Sequence, residues 1–432
     1  MKCFLYPDIG RVDEPLQLHM EGLIPREPVK MTLTMDHEEI GLWNASTITH
    51  ADEQGRLIIG GQKKKESNIL MKLIQNLRPI DGGLPQCSHS KEQLKPLTYY
   101  LDIKAAESLI TESRTVTRLF KEDFVEEESV SAGPLSGTFY FPNIKKKLPG
   151  IIIFGGLLDT SPHELGALLA SNGYGALVAD YVDFQEERTS PVNMPLETID
   201  HFIQWLQQHP LTAGKQIVVF GSSKGAELAL LSASRNKAVS GVVAYSAPCH
   251  VVQCSTIQKP NIRWTENGRT LPSIKSGKIT AFVEKVIRYY LRRKADSTAD
   301  VFKQEVERYE NKGKTEAHIQ VEKINGPILL ISGGSDGLWP SAWMGQKIVS
   351  RLEAAAFPYD VKHVTYPHAG HIFVQPYLPA LPHTDAPVSL GGAPADNADA
   401  GERAWLETLE FLHHHFPPAK IPIYGARHSV SL

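Results

Sequence analysis

The stretch from Gln216 to Leu231 constrains the fold of this chain more than any other. An apolar, largely β-branched run, Ile217-Val218-Val219-Phe220, enters Gly221-Ser222-Ser223-Lys224-Gly225, and helix-forming residues from Ala226 to Ala233 leave it. A buried strand that reverses at once into a helix brings its own backbone close to itself, and side chains beside the corner would collide with the neighbouring strand or helix. Glycines at 221 and 225 remove those side chains. The G-x-S-x-G spacing then puts Ser223 at the tip of a nucleophile elbow, with Ser222 as a spacer. A helix beginning there also points unpaired amides and its positive dipole end at any negative charge that develops beside the serine.

A chain of 432 residues can bury a substantial core and is expected to hold two domains. Its 42% hydrophobic and 22% charged residues are ordinary for a globular protein. A net charge of −3 gives no reason to expect nucleic acid or an anionic membrane as a partner. No run of eighteen apolar residues predicts a membrane span, and Met1 to Asp8 lacks the apolar stretch and cleavage site of a secretory signal, so a cytoplasmic location is the expectation. Cys3, Cys87, Cys249 and Cys254 form no C-x-x-C pair and no zinc-finger spacing. They read as structural or incidental thiols, and neither a metal nor a cofactor is expected.

The N-terminal third reads as β. Apolar residues alternate with polar ones through Leu16-Leu18-Met20 and Val29 to Met35, and further strands are expected at Leu42–Thr49, Leu57–Ile59, Leu97–Ile103 and Val116–Phe120. Gly22, Pro25, Asp52 to Gly55 and Gly60-Gly61 supply the turns. Short strands at this spacing, without helices between them, predict an antiparallel sandwich. Its histidines (His19, His37, His50 and His89) are scattered, and Lys63-Lys64-Lys65 is a solvated loop, so no catalytic cluster is expected there.

Around Glu126 to Pro134 the rhythm changes, and the domain boundary is placed at 130/131. Beyond it come strands at Gly137–Pro142, Gly150–Phe154, Gly175–Ala179 and Gly241–Ala247, with helices at His163–Ser171 and Leu196–His209. Strand and helix in alternation predict a mostly parallel sheet. Gly155-Gly156 closes the buried strand 150–154, and the backbone N–H of Gly156 is the second candidate oxyanion donor, after that of Lys224. Residues 262–321 interrupt the rhythm as a helical insertion, with an Asn267-Gly268 turn and charged helices at Ile279–Lys294 and Ala299–Gly313, either a cap or a helix packed on the core.

Two more strands end in polar loops. Pro327 to Ile331 runs into a loop carrying Asp336, and Val361 to Tyr366 runs into Pro367-His368-Ala369-Gly370-His371. Ser223, Asp336 and His371 thus follow in chain order, each after a strand, and neighbouring strand ends of one parallel sheet bring such residues together. The types fit the chemistry. An alcohol needs an imidazole to take its proton as it attacks, and the imidazole needs a carboxylate to fix its tautomer. His371 is preferred to His368 because it lies beyond the Gly370 turn, and His363 lies within the strand. Gln375 to Arg403, rich in Pro, Ala and Gly, is expected to be a long loop, Trp405 to His415 an amphipathic helix, and the last dozen residues a tail. His413-His414-His415, at a helix end, is not taken as a metal site.

Several stretches together resemble the acyl-CoA thioesterase and bile acid-CoA:amino acid N-acyltransferase family over nearly the whole chain. They are Asp13-Glu-Pro15 with Gly22-Leu-Ile-Pro25, Gly137 to Pro142, Leu168 to Tyr174, Gly221 to Ala229, Val321 to Leu330 with Ser335 to Ser341, and Tyr366 to His371. The resemblance implies an immunoglobulin-like β-sandwich, residues 1–130, before an α/β-hydrolase catalytic domain, residues 131–432, acting on an acyl thioester such as acyl-CoA. It carries the nucleophile to Ser223, the acid to Asp336 and the base to His371. Thioesterase members carry serine where the conjugating enzymes carry cysteine, so Ser223 favours hydrolysis. The family's longer glycine run after the buried strand is here only Gly155-Gly156, and Val430-Ser431-Leu432 lacks the basic middle residue of a peroxisomal tripeptide. A serine acyl-thioester hydrolase is therefore expected, with an acyltransferase, a carboxylesterase and a non-catalytic binding protein as the rival readings.

Overall fold

The computed structural model describes residues 2–37, 41–60, 68–80, 94–133, 135–156, 162–181, 192–253, 262–275, 297–373, 377–379 and 388–421. Expectations for Lys63–Lys65, Cys87, His89, Cys254, the helix Ile279–Lys294 and the last dozen residues, apart from Ile421, fall outside them. The chain divides into two compact units, one made chiefly of residues 1–122 and the other of residues 123–373 and 382–421.

The first unit holds two β-sheets. Strands β1 (Lys2–Tyr6), β3 (Gln17–Glu21) and β6 (Arg56–Ile59) pair in the order β1-β3-β6. Strands β2 (Ile9–Arg11), β4 (Pro28–His37), β5 (Gly41–His50), β7 (Arg78–Pro79), β8 (Leu97–Ala105) and β9 (Ile110–Leu119) pair in the order β2-β9-β8-β4-β5-β7. All pairs are antiparallel except β2 with β9. Register explains the alternation in the sequence. Met31 faces Ile103, Leu33 faces Leu101 and Met35 faces Tyr99, and all six are buried on one face. The apolar positions of the small sheet meet in the same way, Leu18 opposite Ile59 and Met20 opposite Leu57.

Two features of this unit escape the sequence pattern. Helix α1 (Ile69–Gln75) is apolar along most of its length, a run too short for periodicity to separate from a strand. Asn68 starts it, its side-chain oxygen accepting from the N–H groups of Leu70 and Met71 while its amide donates to Leu16 O at 2.6 Å. The second feature is Glu27, 1% exposed, whose two carboxylate oxygens accept the backbone N–H groups of Ile24 (2.7 Å) and Ser108 (2.9 Å). One side chain thereby joins two turns far apart in the chain.

The second unit is built on eight strands, β10 (Val125–Ala132), β11 (Leu135–Pro142), β12 (Gly150–Phe154), β13 (Gly175–Asp180), β15 (Ile217–Ser222), β16 (Val239–Tyr245), β21 (Ile328–Gly333) and β22 (Val361–Tyr366), with β14 (Val192–Pro195) lying outside the sheet. The order is β10-β11-β13-β12-β15-β16-β21-β22. From β13 to β22 the neighbours run parallel, and the β10-β11 hairpin joins antiparallel. This is the mostly parallel α/β-hydrolase sheet expected. Its central strands β12, β15 and β21 are buried almost throughout, which is why they read as unbroken apolar runs. Helices α2 (Pro162–Ser171), α3 (Glu197–Gln208), α4 (Lys224–Arg235), α5 (Ala299–Glu310), α6 (Ser341–Ala354) and α7 (Pro394–His415) complete the unit. No described helix is long and apolar enough to cross a membrane.

Two expectations need correction. The acidic stretch Glu126-Glu127-Glu128 is strand β10, paired residue by residue with β11, so the compact units part at Glu122 and Asp123. Residues Pro394 to Arg403, expected in a loop, form the first turns of α7. Pro394 opens that helix, and its buried face there is made of Asn397, Ala398, Ala400 and Gly401, residues too small to leave an apolar signature. Strand β17 (Val252–Gln253) pairs with β20 (Ile274–Lys275), and between them in the chain β18 (Ile262–Glu266) and β19 (Arg269–Thr270) form a hairpin around Asn267 (φ 49) and Gly268 (φ 72). The asparagine-glycine pair supplies the left-handed residues such a turn needs.

Burial raises the pKa of Glu27, but the donors of Ser108, Ile24 and Glu107 outweigh it, and the carboxyl lies below its ordinary value of 4.5. A carboxylate depressed in the folded state stabilises above its unfolded pKa, and that contribution is lost as pH falls through the folded value. Replacing Glu27 by Gln is expected to destabilise the first unit by about 1–2 kcal/mol at neutral pH. The gap between variant and parent in urea unfolding should shrink as pH drops below 4.5.

Candidate active site

Three of the five residues singled out in the sequence converge on one hydrogen-bonded chain. His371 Nε2 lies 2.8 Å from Ser223 Oγ, and His371 Nδ1 lies 2.9 Å from Asp336 Oδ2. The carboxylate accepts from Nδ1–H, which leaves Nε2 to accept from the serine hydroxyl. All three side chains are buried among the described residues.

Each is held by backbone as much as by its own side chain. Ser223 sits between β15 and α4 at φ 55 and ψ −116, a left-handed conformation that a non-glycine residue adopts at a cost of about 1–3 kcal/mol. Its N–H donates to Tyr245 O at 2.8 Å, tying the corner to the neighbouring strand. A Cβ on Gly221 would overlap the carbonyl of Gly225, and one on Gly225 would overlap the carbonyl of Phe154. Both glycines are therefore required, and the second brings the end of β12 against the elbow.

Asp336 follows β21. Its Oδ1 accepts the N–H groups of Leu338 (2.9 Å) and Trp339 (3.2 Å), so both oxygens are engaged and the carboxylate cannot rotate freely. The Trp339 ring stands edge-on to His371, centroids 4.9 Å apart, and donates through Nε1 to Ser246 O at 2.9 Å. Ser246 in turn donates from Oγ to His371 O at 2.8 Å. The segment before α7 braces the other side, with His371 N donating to Leu390 O (2.7 Å), Gly337 N to the same carbonyl (3.1 Å) and Gly370 N to the side chain of Asn397 (2.7 Å). Ser246, Leu390 and Asn397 have no sequence signature, because two of them act through main-chain carbonyls or a lone hydroxyl and the third lies in a stretch that reads as a loop.

Lys224 and Gly156 are buried, and the loop bearing Gly156 leaves the strand that packs on Gly225. His368 is exposed, and His363, on β22, bonds Ser332 Oγ of β21 at 3.1 Å; neither belongs to the hydrogen-bonded chain.

Directly behind the elbow lies a second polar group that the sequence disguises. Lys224 and Glu227, three residues apart on α4, look like a solvated helix pair. Their side chains are instead 2% and 0% exposed. Lys224 Nζ donates to Glu227 Oε1 (2.6 Å) and Val252 O (2.6 Å), and lies 5.0 Å from the centre of the Trp264 ring. Glu227 also accepts from Trp264 Nε1 and from Val252 N (3.2 Å). Burial pushes its carboxyl pKa up, against the pull of Lys224 and the other donors. Trp264, on β18 and itself buried, packs against both members of the pair.

A strained serine at the C-terminal end of a parallel strand, hydrogen-bonded through a histidine to an aspartate, with the three in the chain order serine, aspartate, histidine, defines an α/β-hydrolase with a Ser-His-Asp constellation. The family models agree. Residues 162–418 match the acyl-CoA thioester hydrolase/BAAT C-terminal model, and residues 13–132 match the acyl-CoA thioester hydrolase/BAAT N-terminal region. The chain belongs to this family, whose members are enzymes of the hydrolase and acyltransferase type. It is 25% identical over 425 residues to mouse acyl-coenzyme A amino acid N-acyltransferase 2, covering 95% of this chain and 96% of that protein. It is 26% identical over 427 residues to human acyl-coenzyme A thioesterase 1, covering 93% and 94% respectively. Among solved structures, a dienelactone hydrolase from Klebsiella pneumoniae aligns at 15% identity with a TM-score of 0.40, covering 67% of this chain and 99% of the other.

Removing one partner of a buried ion pair leaves the other charge uncompensated, which destabilises by about 3–5 kcal/mol, whereas an apolar pair of similar volume is often neutral. Glu227→Ala should therefore lower the urea midpoint of the second unit far more than the paired change Lys224→Met with Glu227→Leu. Equal losses would mean that the network contributes through shape alone.

Proposed function

We propose that the protein hydrolyses acyl thioesters, with acyl-CoA as the substrate class, through an acyl-enzyme on Ser223. The observation that carries this reading is the continuous chain Ser223–His371–Asp336 in a member of this family. His371 accepts the hydroxyl proton as Ser223 Oγ bonds to the thioester carbonyl carbon. The carbonyl oxygen becomes an oxyanion, held by the backbone N–H of Lys224 and that of Gly156. Collapse of this intermediate breaks the carbon–sulfur bond, and the proton on His371 leaves with the thiol. Water then attacks the ester, giving its proton to His371, and the carboxylic acid departs as Ser223 recovers its hydrogen. Asp336 keeps Nδ1 protonated and steadies the imidazolium at both stages.

Serine rather than cysteine supports hydrolysis over transfer. An oxygen ester is cleared by water, while a thioester intermediate stays more reactive toward an amine. Transfer to an amine is the second reading, favoured by the similarity to the mouse N-acyltransferase. In either reading the reacting groups, Ser223, His371 and Asp336, with the amides of Lys224 and Gly156, all belong to the second unit.

Incubation with a panel of acyl-CoAs, following free thiol and acyl product by mass spectrometry with and without glycine or taurine, separates the two. Free acid in proportion to thiol is expected; an amide would establish transfer, and activity confined to oxygen esters would remove the thioester assignment. Ser223→Ala and His371→Ala should each lower kcat by roughly 10³-fold or more, and the double variant should be scarcely worse than either, because the residues act as one unit.

A further inference from the structure

Away from the hydrogen-bonded chain, three segments of the second unit bring together His250, from the loop after β16, Glu310, at the end of α5, and His318, before β21. One ligand atom from each lies within 4.8 Å of the other two. His250 is 1% exposed, and its Nε2 has no hydrogen-bond partner; nor has Nε2 of His318. Both nitrogens are directed at the same carboxylate oxygen, Glu310 Oε1, at 3.6 and 3.9 Å, too long for hydrogen bonds. Leaving a buried nitrogen unbonded costs about 1–3 kcal/mol, so two of them facing one carboxylate call for a ligand.

The surroundings fit a cation held by imidazole. His250 Nδ1 lies 3.1 Å from Cys249 Sγ, a contact that holds the ring on the side away from Nε2. Backbone bonds fix the spacing, through a bridge between His250 and His318 and Val251 N to Ala317 O at 2.8 Å. Lys347 takes the other oxygen of Glu310 at 2.7 Å, leaving Oε1 for the ion, and Arg351 is engaged by Ile319 O and Glu322.

We propose that His250, His318 and Glu310 bind one zinc ion that braces the fold, with water as its fourth ligand. Two imidazole nitrogens and a carboxylate oxygen form a donor set suited to zinc, whereas calcium and magnesium require mostly oxygen. Tetrahedral zinc keeps its ligands about 2.0–2.1 Å from the metal, hence roughly 3.3 Å from one another, and the two nitrogens already stand 3.6 and 3.9 Å from Glu310 Oε1. Lys347 and Arg351 repel a dication, which disfavours ions held by charge alone. The site clamps the end of α5, whose beginning meets the Asp336 loop through Thr298 N and Ser297 Oγ, donating to Gly337 O at 2.7 and 2.9 Å. No metal was expected from the sequence because residues 250, 310 and 318 follow no known ligand spacing.

Untagged full-length protein, stripped with a chelator, is titrated with zinc chloride by calorimetry. One zinc per chain is expected, with affinity falling more than about 100-fold in the variant carrying His250→Asn and His318→Asn, beyond the 10–100-fold that loss of a mere ligand-orienting partner brings. A control with His414→Asn and His415→Asn removes the exposed cluster that these residues make with Asp360, and should bind as the parent does. Cobalt loading of the parent gives a reading independent of whether the variants fold, and the intense visible absorption of a four-coordinate ion is expected. Absence of saturable binding, binding lost only in the His414 and His415 control, or the weak spectrum of six-coordinate cobalt would each overturn the proposal.

Discussion

The backbone at Ser223 is the constraint on which the second unit depends. A left-handed serine between a strand and a helix is unfavourable in itself, and it persists because its surroundings leave no alternative. The Tyr245 carbonyl fixes its N–H, Gly221 and Gly225 permit the approach of helix and strand, and the buried Lys224–Glu227 pair anchors the first turn of α4 from behind. The result is a hydroxyl that projects from a rigid corner, with the amide of the next residue at a helix N-terminus. The strain is local, and the central strands bear it with their buried, β-branched side chains.

Histidine and aspartate are positioned by a different device. Neither sits on a helix or strand; both lie on loops, whose freedom would ordinarily defeat a precise hydrogen bond. Here the loops are braced against each other. The Leu390 carbonyl receives N–H groups from both, Asn397 holds Gly370, and Ser246 links the histidine carbonyl to the tryptophan that flanks its ring. Packing thus makes rigid what the secondary structure leaves free.

Legibility in the sequence follows from how a residue acts. Ser223 could be read because its strain demands glycines at fixed offsets, and Asp336 and His371 because each follows an apolar strand in a fixed order. Ser246 and Leu390 act through groups that many residues possess, so no residue type marks them. Asn397 was hidden among alanines and glycines whose helix buries backbone rather than large side chains. The Lys224–Glu227 pair carries no signal of its burial, because three residues apart on a helix such charges look solvated, and the residues that enclose them, Val252 and Trp264, are distant in the chain. Strand β10 reads as a boundary because Glu126, Glu127 and Glu128 are consecutive, acidic and exposed, and its pairing with β11 is visible only in three dimensions.

The central claim is that a serine hydroxyl activated by His371 performs the covalent step. Treating the protein with a fluorophosphonate and mapping the adduct by peptide mass spectrometry tests it most directly. The account predicts one adduct, on Ser223, whose formation collapses when His371 is replaced by Ala. Labelling at another residue, or of Ser223 at an undiminished rate without the imidazole, would contradict it.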